Sequence, residues 1–232
     1  METQGYGQFC PVAMAAEILC NRWTIVVLRE LVVGSTRFNE LRKGVPRMSP
    51  ALLSKRLKEL EGAGVIEHVA SAEPGVFEYR LTEAGRDLRP VVEAVGIWGQ
   101  RWIRSEPSLR NLDPSLLMWD MRRNLNPTPM PDRRCVVQFL YPELPAAKRH
   151  WWLIVCPGEK VDLCSVDPGF DVDLYVVADL RAMTAIWMGL TSLSDEVRAG
   201  RLQVTGDSGL ARSMTTWLGL SPFAAEKKRV AV

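Results

Sequence analysis

The sequence has few of the residues from which metal sites and disulfide frameworks are built. Its 232 residues include two histidines, His68 and His150, and five cysteines. The number of cysteines is odd and no two of them are separated by only two residues. We therefore expect neither a disulfide framework nor a structural zinc site, and we predict no metal and no cofactor.

The sequence also lacks the motifs of common catalytic sites and of membrane targeting. It contains no GxSxG, no glycine-rich phosphate loop, no HExxH and no histidine-based dyad. No apolar run approaches the roughly 18 residues of a membrane helix. The start METQGYGQFCPV has neither the basic residues nor the long apolar stretch of a signal peptide. We therefore expect a cytoplasmic protein that is not an enzyme and has no membrane partner.

Excess charge is small over the whole chain but large in one segment. The net charge is +2. Between positions 37 and 58 only Glu40 opposes a cluster of seven basic residues, which are Arg37, Arg42, Lys43, Arg47, Lys55, Arg56 and Lys58. Such a cluster is typical of a phosphate-contacting surface, and equally of a solvated helix face. Charge alone leaves both interpretations open.

The N-terminal half shows helical periodicity up to about residue 62. Apolar spacing predicts two helices between Pro11 and Leu31, with Asn21 breaking the run and capping the second helix, and Gly34 ending it. The segment RFNELRKGV predicts a short third helix. A fourth helix is expected to begin at Ser49 and Pro50, because serine is a good N-cap and proline suits the first helical position.

A hairpin and a long helix follow. VIEHVA and VFEYRL alternate like two strands around the turn SAEPG, and Thr82 is expected to cap one helix that continues to about Trp102. Helices followed by a hairpin are the order of a winged helix-turn-helix. The last helix is apolar on more than one side, which indicates a partner surface.

The fourth helix can present a polar face to DNA while its leucines anchor it. Leu53, Leu57 and Leu60 form one stripe, and a turn of about 100° per residue places Ala51, Lys55 and Lys58 opposite them. The alternative is an amphipathic helix of any helical domain. The predicted DNA-contacting residues are Arg37, Arg47, Ser49, Ala51, Ser54, Lys55, Arg56, Lys58 and Arg80.

A change of composition marks the domain boundary. Prolines punctuate the segment from 106 to 132, which we interpret as a linker between domains at 1–105 and 133–232. Within it, SLLMWDMRRNL is compatible with a short helix. The second domain begins with strand-like runs such as CVVQFLY and WWLIVC, and helical segments follow. We therefore predict an α+β fold, with an N-terminal winged helix-turn-helix and a C-terminal mixed α/β domain.

Four features of residues 8–104 occur together: Cys10-Pro11, the helix of Trp23, the Ser-Pro start of the fourth helix and the Leu-Thr-Glu-Ala-Gly segment after the hairpin. With these features, the segment resembles the HxlR-type family of bacterial regulators. It implies a homodimer that binds a twofold-related operator in double-stranded DNA, built from the first helix and the helix after the wing. The predicted dimerisation residues are Met14, Ile18, Val91, Val95, Trp98 and Trp102.

The segment RLQVTGDSGLARSMTTWLGL resembles the closing strand and helix of the sterol carrier protein-like fold. This resemblance implies an apolar cavity for a small hydrophobic ligand. Large apolar residues that would suit such a cavity are Trp151, Met183, Trp187, Met214 and Trp217, and the alternative is that they form the core.

Two modes of regulation are compatible with these features. The main hypothesis is a ligand-responsive transcriptional regulator, and we expect repression because a bound dimer blocks polymerase. The alternative is a redox-sensing regulator switched through Cys10, with a structural C-terminal domain, because a helix N-terminus lowers the pKa of a thiol. The other cysteines are expected in the core.

Overall fold

The computed structural model describes residues 5–104 and 109–230. The chain divides into two compact units, Met1–Gly96 and Ile97–Val232. The boundary therefore lies nearer the N-terminus than the predicted domain limit at residue 105, and it falls inside a helix.

The first unit consists of helices with one hairpin. Its elements are α1 (Pro11–Leu19), α2 (Thr24–Val32), α3 (Phe38–Gly44), α4 (Pro50–Gly62), β1 (Ile66–Ala70), β2 (Phe77–Leu81), α5 (Glu83–Arg86) and the first part of α6 (Arg89–Trp102). Among the described residues no single helix is long and apolar enough to cross a membrane. Only α1 and α2 taken together reach that length and composition, and they are bent by 84°.

The leucine stripe of α4 forms the centre of this unit's core. Leu53, Leu57 and Leu60 are buried among apolar side chains of α2, α3 and the segment after α4. The start of α4 is also as predicted: Ser49 Oγ accepts a hydrogen bond from Leu52 N at 3.3 Å, and Pro50 is the first helical residue. The sequence therefore predicts both where this helix begins and which of its faces is buried.

The junction between α1 and α2 differs from the prediction. Asn21 does not cap α2; its Nδ2 donates to the Glu17 carbonyl oxygen at 3.0 Å, at the end of α1. The residue before α2 is Trp23, with a left-handed φ of 81°. Asn21 lies two residues too early for α2, and its amide instead reaches one of the free carbonyls that end every helix.

The long helix predicted after Thr82 is two helices. Thr82 Oγ1 accepts from Gly85 N at 3.2 Å and so caps only α5. Pro90 has no N–H to donate to the carbonyl of Arg86, and its ring crowds that oxygen, so a continuous helix is interrupted.

Gly85 is required because a Cβ there would lie 2.1 Å from the Val65 carbonyl oxygen.

The hairpin is as predicted. β1 and β2 are antiparallel, with Ile66 opposite Leu81 and Ala70 opposite Phe77. Tyr79 N donates to the Thr36 carbonyl oxygen at 2.8 Å, which attaches β2 to the segment before α3. The first unit is therefore a winged helix-turn-helix.

The second unit is built on a mixed five-stranded sheet. After the end of α6 come α7 (Pro114–Asn124), β3 (Cys135–Leu140), α8 (Ala146–Arg149), β4 (His150–Val155), β5 (Asp162–Cys164), β6 (Leu174–Ala178), α9 (Leu180–Trp187), α10 (Leu193–Arg198), β7 (Leu202–Gly206), α11 (Ser208–Arg212) and α12 (Met214–Trp217). The strand order is β5-β4-β3-β6-β7. Only β3 and β6 pair in parallel; the other pairs are antiparallel.

The segment predicted as a linker contains a core helix. In α7, Leu117, Met118 and Met121 are buried in the core of the second unit. Pro114 is the first residue of this helix and Asp113 caps it, accepting from Ser115 N at 3.0 Å. Proline at this position starts a helix, so proline content was a poor indicator of a linker here. Residues 106–108, at the start of the predicted linker, lie outside the described residues.

Gly206 and Asp207 form the turn between β7 and α11. Gly206 has φ 130°, and a Cβ there would lie 2.3 Å from the Asp173 carbonyl oxygen. Asp207 Oδ1 accepts from the N–H groups of Gly209 and Leu210, which lowers the pKa of this carboxyl. The predicted last helix is split at Ser213 into α11 and α12.

Candidate nucleic-acid interface

The exposed face of α4 carries two lysines. Ala51, Lys55 and Lys58 are exposed on the side opposite the buried leucines, as predicted. The Lys55 side chain is 67% exposed, and its Nζ lies 4.0 Å from Glu59 Oε1, an ion pair that water screens strongly. Lys58 forms no ion pair within residues 5–104 and 109–230. Both ammonium groups are therefore accessible to a duplex.

The N-terminus of α4 is built from small residues. Ser49 and Ala51 are exposed and Ser54 is half-buried. The helix has 13 residues. Its first N–H groups are oriented outward along the helix axis, an arrangement that favours a phosphate oxygen. Small side chains at this end allow the backbone to approach a nucleic-acid strand closely.

Arg56 departs from the predicted role. Its side chain is only 13% exposed and its guanidinium pairs with Glu59. Arg56 Nε donates to the Arg22 carbonyl oxygen at 3.0 Å. The predicted groove contact is therefore occupied within the protein, because position 56 flanks the leucine stripe and a long side chain there folds back against the unit.

The predicted contacts near the wing are paired with wing carboxylates. Arg37 lies 2.5 Å from Glu73 and 3.9 Å from Glu78, and Arg80 lies 2.8 Å from Glu78. The Glu73 hydrogen bond raises the pKa of Arg37, and the Arg80 hydrogen bond lowers the pKa of Glu78. Either arginine could contact a phosphate only if the phosphate replaced its carboxylate partner.

The remaining predicted contact, Arg47, is exposed in the turn before α4.

A buried acid next to this surface was missed at the sequence level. Glu30 of α2 is fully buried, 2.6 Å from Arg29, and accepts a hydrogen bond from Ser35 Oγ at 3.4 Å. A Cβ at Gly44 would lie 1.9 Å from the Glu30 carboxyl, so a larger residue there would displace this hydrogen-bonded group. Arg29 also donates to the Gly44 carbonyl oxygen at 2.9 Å. This network fixes the end of α3, from which the chain turns into α4.

Comparison with known proteins agrees with this geometry. Residues 18–107 match the model of the family described as HxlR-like helix-turn-helix. The uncharacterized HTH-type transcriptional regulator YvaP of Bacillus subtilis is 37% identical over 112 residues, which are 47% of this chain and 95% of YvaP. The uncharacterized regulator sll1512 of Synechocystis is 38% identical over 43% of this chain and 75% of its own length. The chain belongs to the HxlR-like helix-turn-helix family.

Solved structures were also matched. The reduced form of the transcriptional regulator YodB from B. subtilis is 33% identical over 40% of this chain and 93% of YodB, with a TM-score of 0.36. The redox regulator HypR in its oxidized form is 33% identical over 39% of this chain and 95% of HypR, with a TM-score of 0.37.

Proteins of the HxlR-like family are transcriptional regulators that bind DNA, not enzymes, and this function applies to the present chain.

Apolar side chains are exposed along two helices of the HxlR-like chain. The predicted dimerisation residues Met14, Ile18, Val91, Val95, Trp98 and Trp102 are all exposed. On α6 they follow one stripe, and Trp98 is 60% exposed. Two further apolar residues near α1, Phe9 and Val12, are even more exposed and were missed. No described residue of α1 is buried.

Cys10 occupies the N-cap position of α1 and is exposed. The backbone N–H groups of Ala13 and Val12, at the start of α1, lower the pKa of its thiol. Cys20 was predicted in the core, but it is exposed at the end of α1, because the break between α1 and α2 begins there. Cys135 is buried, and burial raises its pKa.

The residues predicted to line a ligand cavity lie in the core of the second unit. Trp151, Met183, Trp187, Met214 and Trp217 are all buried in its apolar cluster. Trp217 Nε1 donates to the Leu210 carbonyl oxygen at 2.8 Å, and Trp151 Nε1 to the Lys148 carbonyl oxygen at 2.9 Å. Only Met214 of the five also borders an open groove of about 390 Å³. The groove is lined by Leu193, Ser194, Val197, Arg198, Leu202, Val204, Ala211, Met214 and Thr215.

Proposed function

We propose that this HxlR-like regulator acts as a homodimeric repressor in which α4 of each copy enters the major groove of an operator. The observation that carries the proposal is the pair of accessible lysines, Lys55 and Lys58, on the face of α4 that is opposite its buried leucines. A helix anchored on one face and cationic on the other has the geometry for a major-groove reader. A dimer bound at a promoter would prevent polymerase from binding.

The apolar stripe on α6 supports the dimer. Val91, Val95, Trp98 and Trp102 are spaced by four, three and four residues, so they share one face of the helix. Aromatic residues of this kind are common anchors of protein interfaces. A twofold axis would pair the stripe with its copy and place the two α4 helices in a symmetric arrangement.

The operator can be found by selecting duplexes from a random-sequence library with the purified chain. We expect inverted half-sites with centres about one helical turn apart, and repression of a reporter promoter that carries the selected site. Lys55→Ala and Lys58→Ala should weaken binding to this duplex, while Glu61→Ala, an exposed change on the same helix, should not. A selected site without twofold symmetry would contradict the dimer, and activation of the reporter would contradict repression.

We propose that the open groove of the second unit binds a small apolar ligand that modulates operator binding. Three elements each contribute apolar residues: α10 gives Leu193 and Val197, β7 gives Leu202 and Val204, and α11–α12 give Ala211 and Met214. The volume of about 390 Å³ is within the range of small-molecule sites. The resemblance of this segment to the sterol carrier protein-like fold is compatible with such a ligand.

An environment-sensitive dye, 8-anilinonaphthalene-1-sulfonate, can probe the groove. We expect enhanced fluorescence with the wild-type chain and loss of it with Ala211→Trp, which would fill the groove. Val166→Trp, at an exposed position elsewhere in the second unit, is the control. Enhancement that survives Ala211→Trp would contradict binding in the groove, and operator affinity that does not respond to the dye would contradict modulation.

A second candidate is redox control through Cys10. The exposed thiol at the N-cap of α1 has a lowered pKa, and the thiolate is the form that oxidants attack. Mass spectrometry after mild peroxide treatment should show modification of Cys10 together with altered operator binding, and Cys10→Ser should abolish both. Unmodified Cys10 with unchanged operator binding would eliminate this mode.

A further inference from the structure

The turn between α1 and α2 has an unusual backbone. Trp23 is the only residue other than glycine with a positive φ in the part of the chain that the structure describes. A left-handed conformation is unfavourable for a bulky side chain, so neighbouring contacts must hold it. The Arg22 guanidinium lies over the Trp23 ring, 5.9 Å from its centroid.

Arg56 holds this turn from the middle of α4. Its Nε donates at 3.0 Å to the Arg22 carbonyl oxygen, which belongs to the peptide bond preceding Trp23. The other side of the guanidinium pairs with Glu59, one turn farther along α4. A planar guanidinium can hold a carbonyl and a carboxylate at once, and the side chain is only 13% exposed.

The same turn is tied to α1. Asn21 Nδ2 donates to the Glu17 carbonyl oxygen at 3.0 Å. A chain of directional bonds therefore connects α1, through residues 21 and 22, to α4. The other anchors of α4 are its buried leucines, whose apolar contacts have little directional preference. The Arg56 hydrogen bond is the directional contact that fixes the rotation of α4 relative to the turn.

We propose that Arg56 is a positioning residue for operator recognition and does not contact DNA. It sets the orientation of α4 relative to α1, and because α1 carries predicted dimerisation residues, it also sets the geometry of the two α4 helices in a dimer. This inference rests on the proposed DNA face of α4. Binding to an operator requires two correctly placed α4 helices, whereas binding to unselected DNA requires only positive charge on the protein.

The test separates geometry from charge. Arg56→Lys keeps the positive charge but lacks the planar guanidinium, whereas Arg56→Ala removes both the charge and the guanidinium. We expect both variants to lose roughly tenfold in affinity for the duplex selected by the wild-type chain. Alanine removes the hydrogen bond to the Arg22 carbonyl, and the ammonium of lysine cannot hold this carbonyl and the Glu59 carboxylate in the geometry of a planar guanidinium. Affinity for a scrambled duplex and the salt dependence of binding should stay unchanged, because no phosphate contact is removed.

Lys58→Ala, two residues away on α4, is the matched control. It also removes one charge, and it should weaken binding to both duplexes and reduce the salt dependence. If Arg56→Lys binds the operator like wild type while Arg56→Ala behaves like Lys58→Ala, Arg56 contacts phosphate and the inference is wrong. Unchanged operator affinity for both Arg56 variants would also overturn it. If instead Lys58→Ala has no effect, the proposed DNA face fails independently of Arg56.

Circular dichroism and thermal unfolding identify loss of folding. Arg56→Lys is the more conservative variant, so it remains informative if Arg56→Ala does not fold. A folded Arg56→Lys protein whose affinities for the operator and for the scrambled duplex fall by the same factor would contradict a positioning role. A change in the orientation of α4 should weaken binding to the operator only.

Discussion

The region up to the end of α6 and the region after it use the same residue types in opposite ways. In the first region Met14 and Trp98 are exposed, whereas in the second region Met183 and Trp217 are buried. α1 has no buried residue in its nine positions, yet α9 buries five of its eight. Large apolar side chains therefore remain exposed in one region and form a packed core in the other. Composition alone cannot distinguish them.

Topology explains the difference. The core of the first unit is already filled by α2, α3 and α4, so further apolar residues on α1 and α6 remain outside it. In the second unit a five-stranded sheet presents a wide surface, which α7, α9 and α12 cover with methionine and tryptophan. An apolar excess on a helix is thus informative only when the available core area is known.

The largest expected effect is in the core of the second unit. Trp217→Ala should cost about 3–5 kcal/mol in the free energy of unfolding, because it opens a large cavity and leaves the Leu210 carbonyl without its indole donor. Urea unfolding measures this. The exposed Leu220→Ala should change little. A loss below about 1 kcal/mol for Trp217→Ala would mean that the tryptophan lines a space and not a core.

The leucine stripe of α4 gives the corresponding test in the first unit. Leu57→Ala should cost roughly 2–5 kcal/mol of stability, since Leu57 is fully buried. Lys58→Ala, its neighbour on the exposed face, should change stability by less than about 0.5 kcal/mol. Equal losses in the two variants would contradict the division of α4 into a buried and an exposed face.

The exposed tryptophan of α6 tests the partner surface. Trp98→Ala should raise the dimer dissociation constant about 30-fold, as expected for an interface anchor worth about 2 kcal/mol. Sedimentation equilibrium measures this constant. Phe77→Ala removes an exposed aromatic of the wing and is the control. Trp98→Ala with an unchanged constant would show that exposure here does not indicate an interface.

The smallest expected effect concerns the Cys10 thiol. Its pKa is lowered by backbone N–H groups at the start of α1, so the thiolate fraction should rise at a lower pH than for an ordinary thiol. The rate of iodoacetamide alkylation at Cys10, followed by mass spectrometry against pH, should have its midpoint below that of the same residue in the urea-unfolded chain. Identical midpoints would show that α1 does not activate the thiol.

Much of the first unit follows from local sequence. The Ser49 cap, the position of Pro50 and the leucine spacing define α4, and turn residues define the wing. These signals are local, so they could be recognised without the fold. The exposed positions of Lys55 and Lys58 follow from the same spacing.

The remaining features depend on contacts distant in sequence. The hydrogen bond of Arg56 with Arg22 spans 34 positions, and the fit of Gly44 against Glu30 requires the packing of α3 on α2. The core position of α7, within a proline-rich segment, depends on the sheet of the second unit. Such pairings carry no periodic signal, which is why Arg56 was predicted to contact DNA and residues 106–132 to be a linker.

The salt dependence of DNA binding reports whether the lysine face of α4 contacts the duplex. The slope of log affinity against log salt concentration should be compared between the wild-type chain and Lys58→Ala on the selected duplex. If α4 of both copies faces the duplex, the variant loses two phosphate contacts and the slope should decrease by about 1.8, at about 0.9 for each contact. A slope and an affinity identical to those of the wild-type chain would show that the lysine face of α4 does not meet DNA.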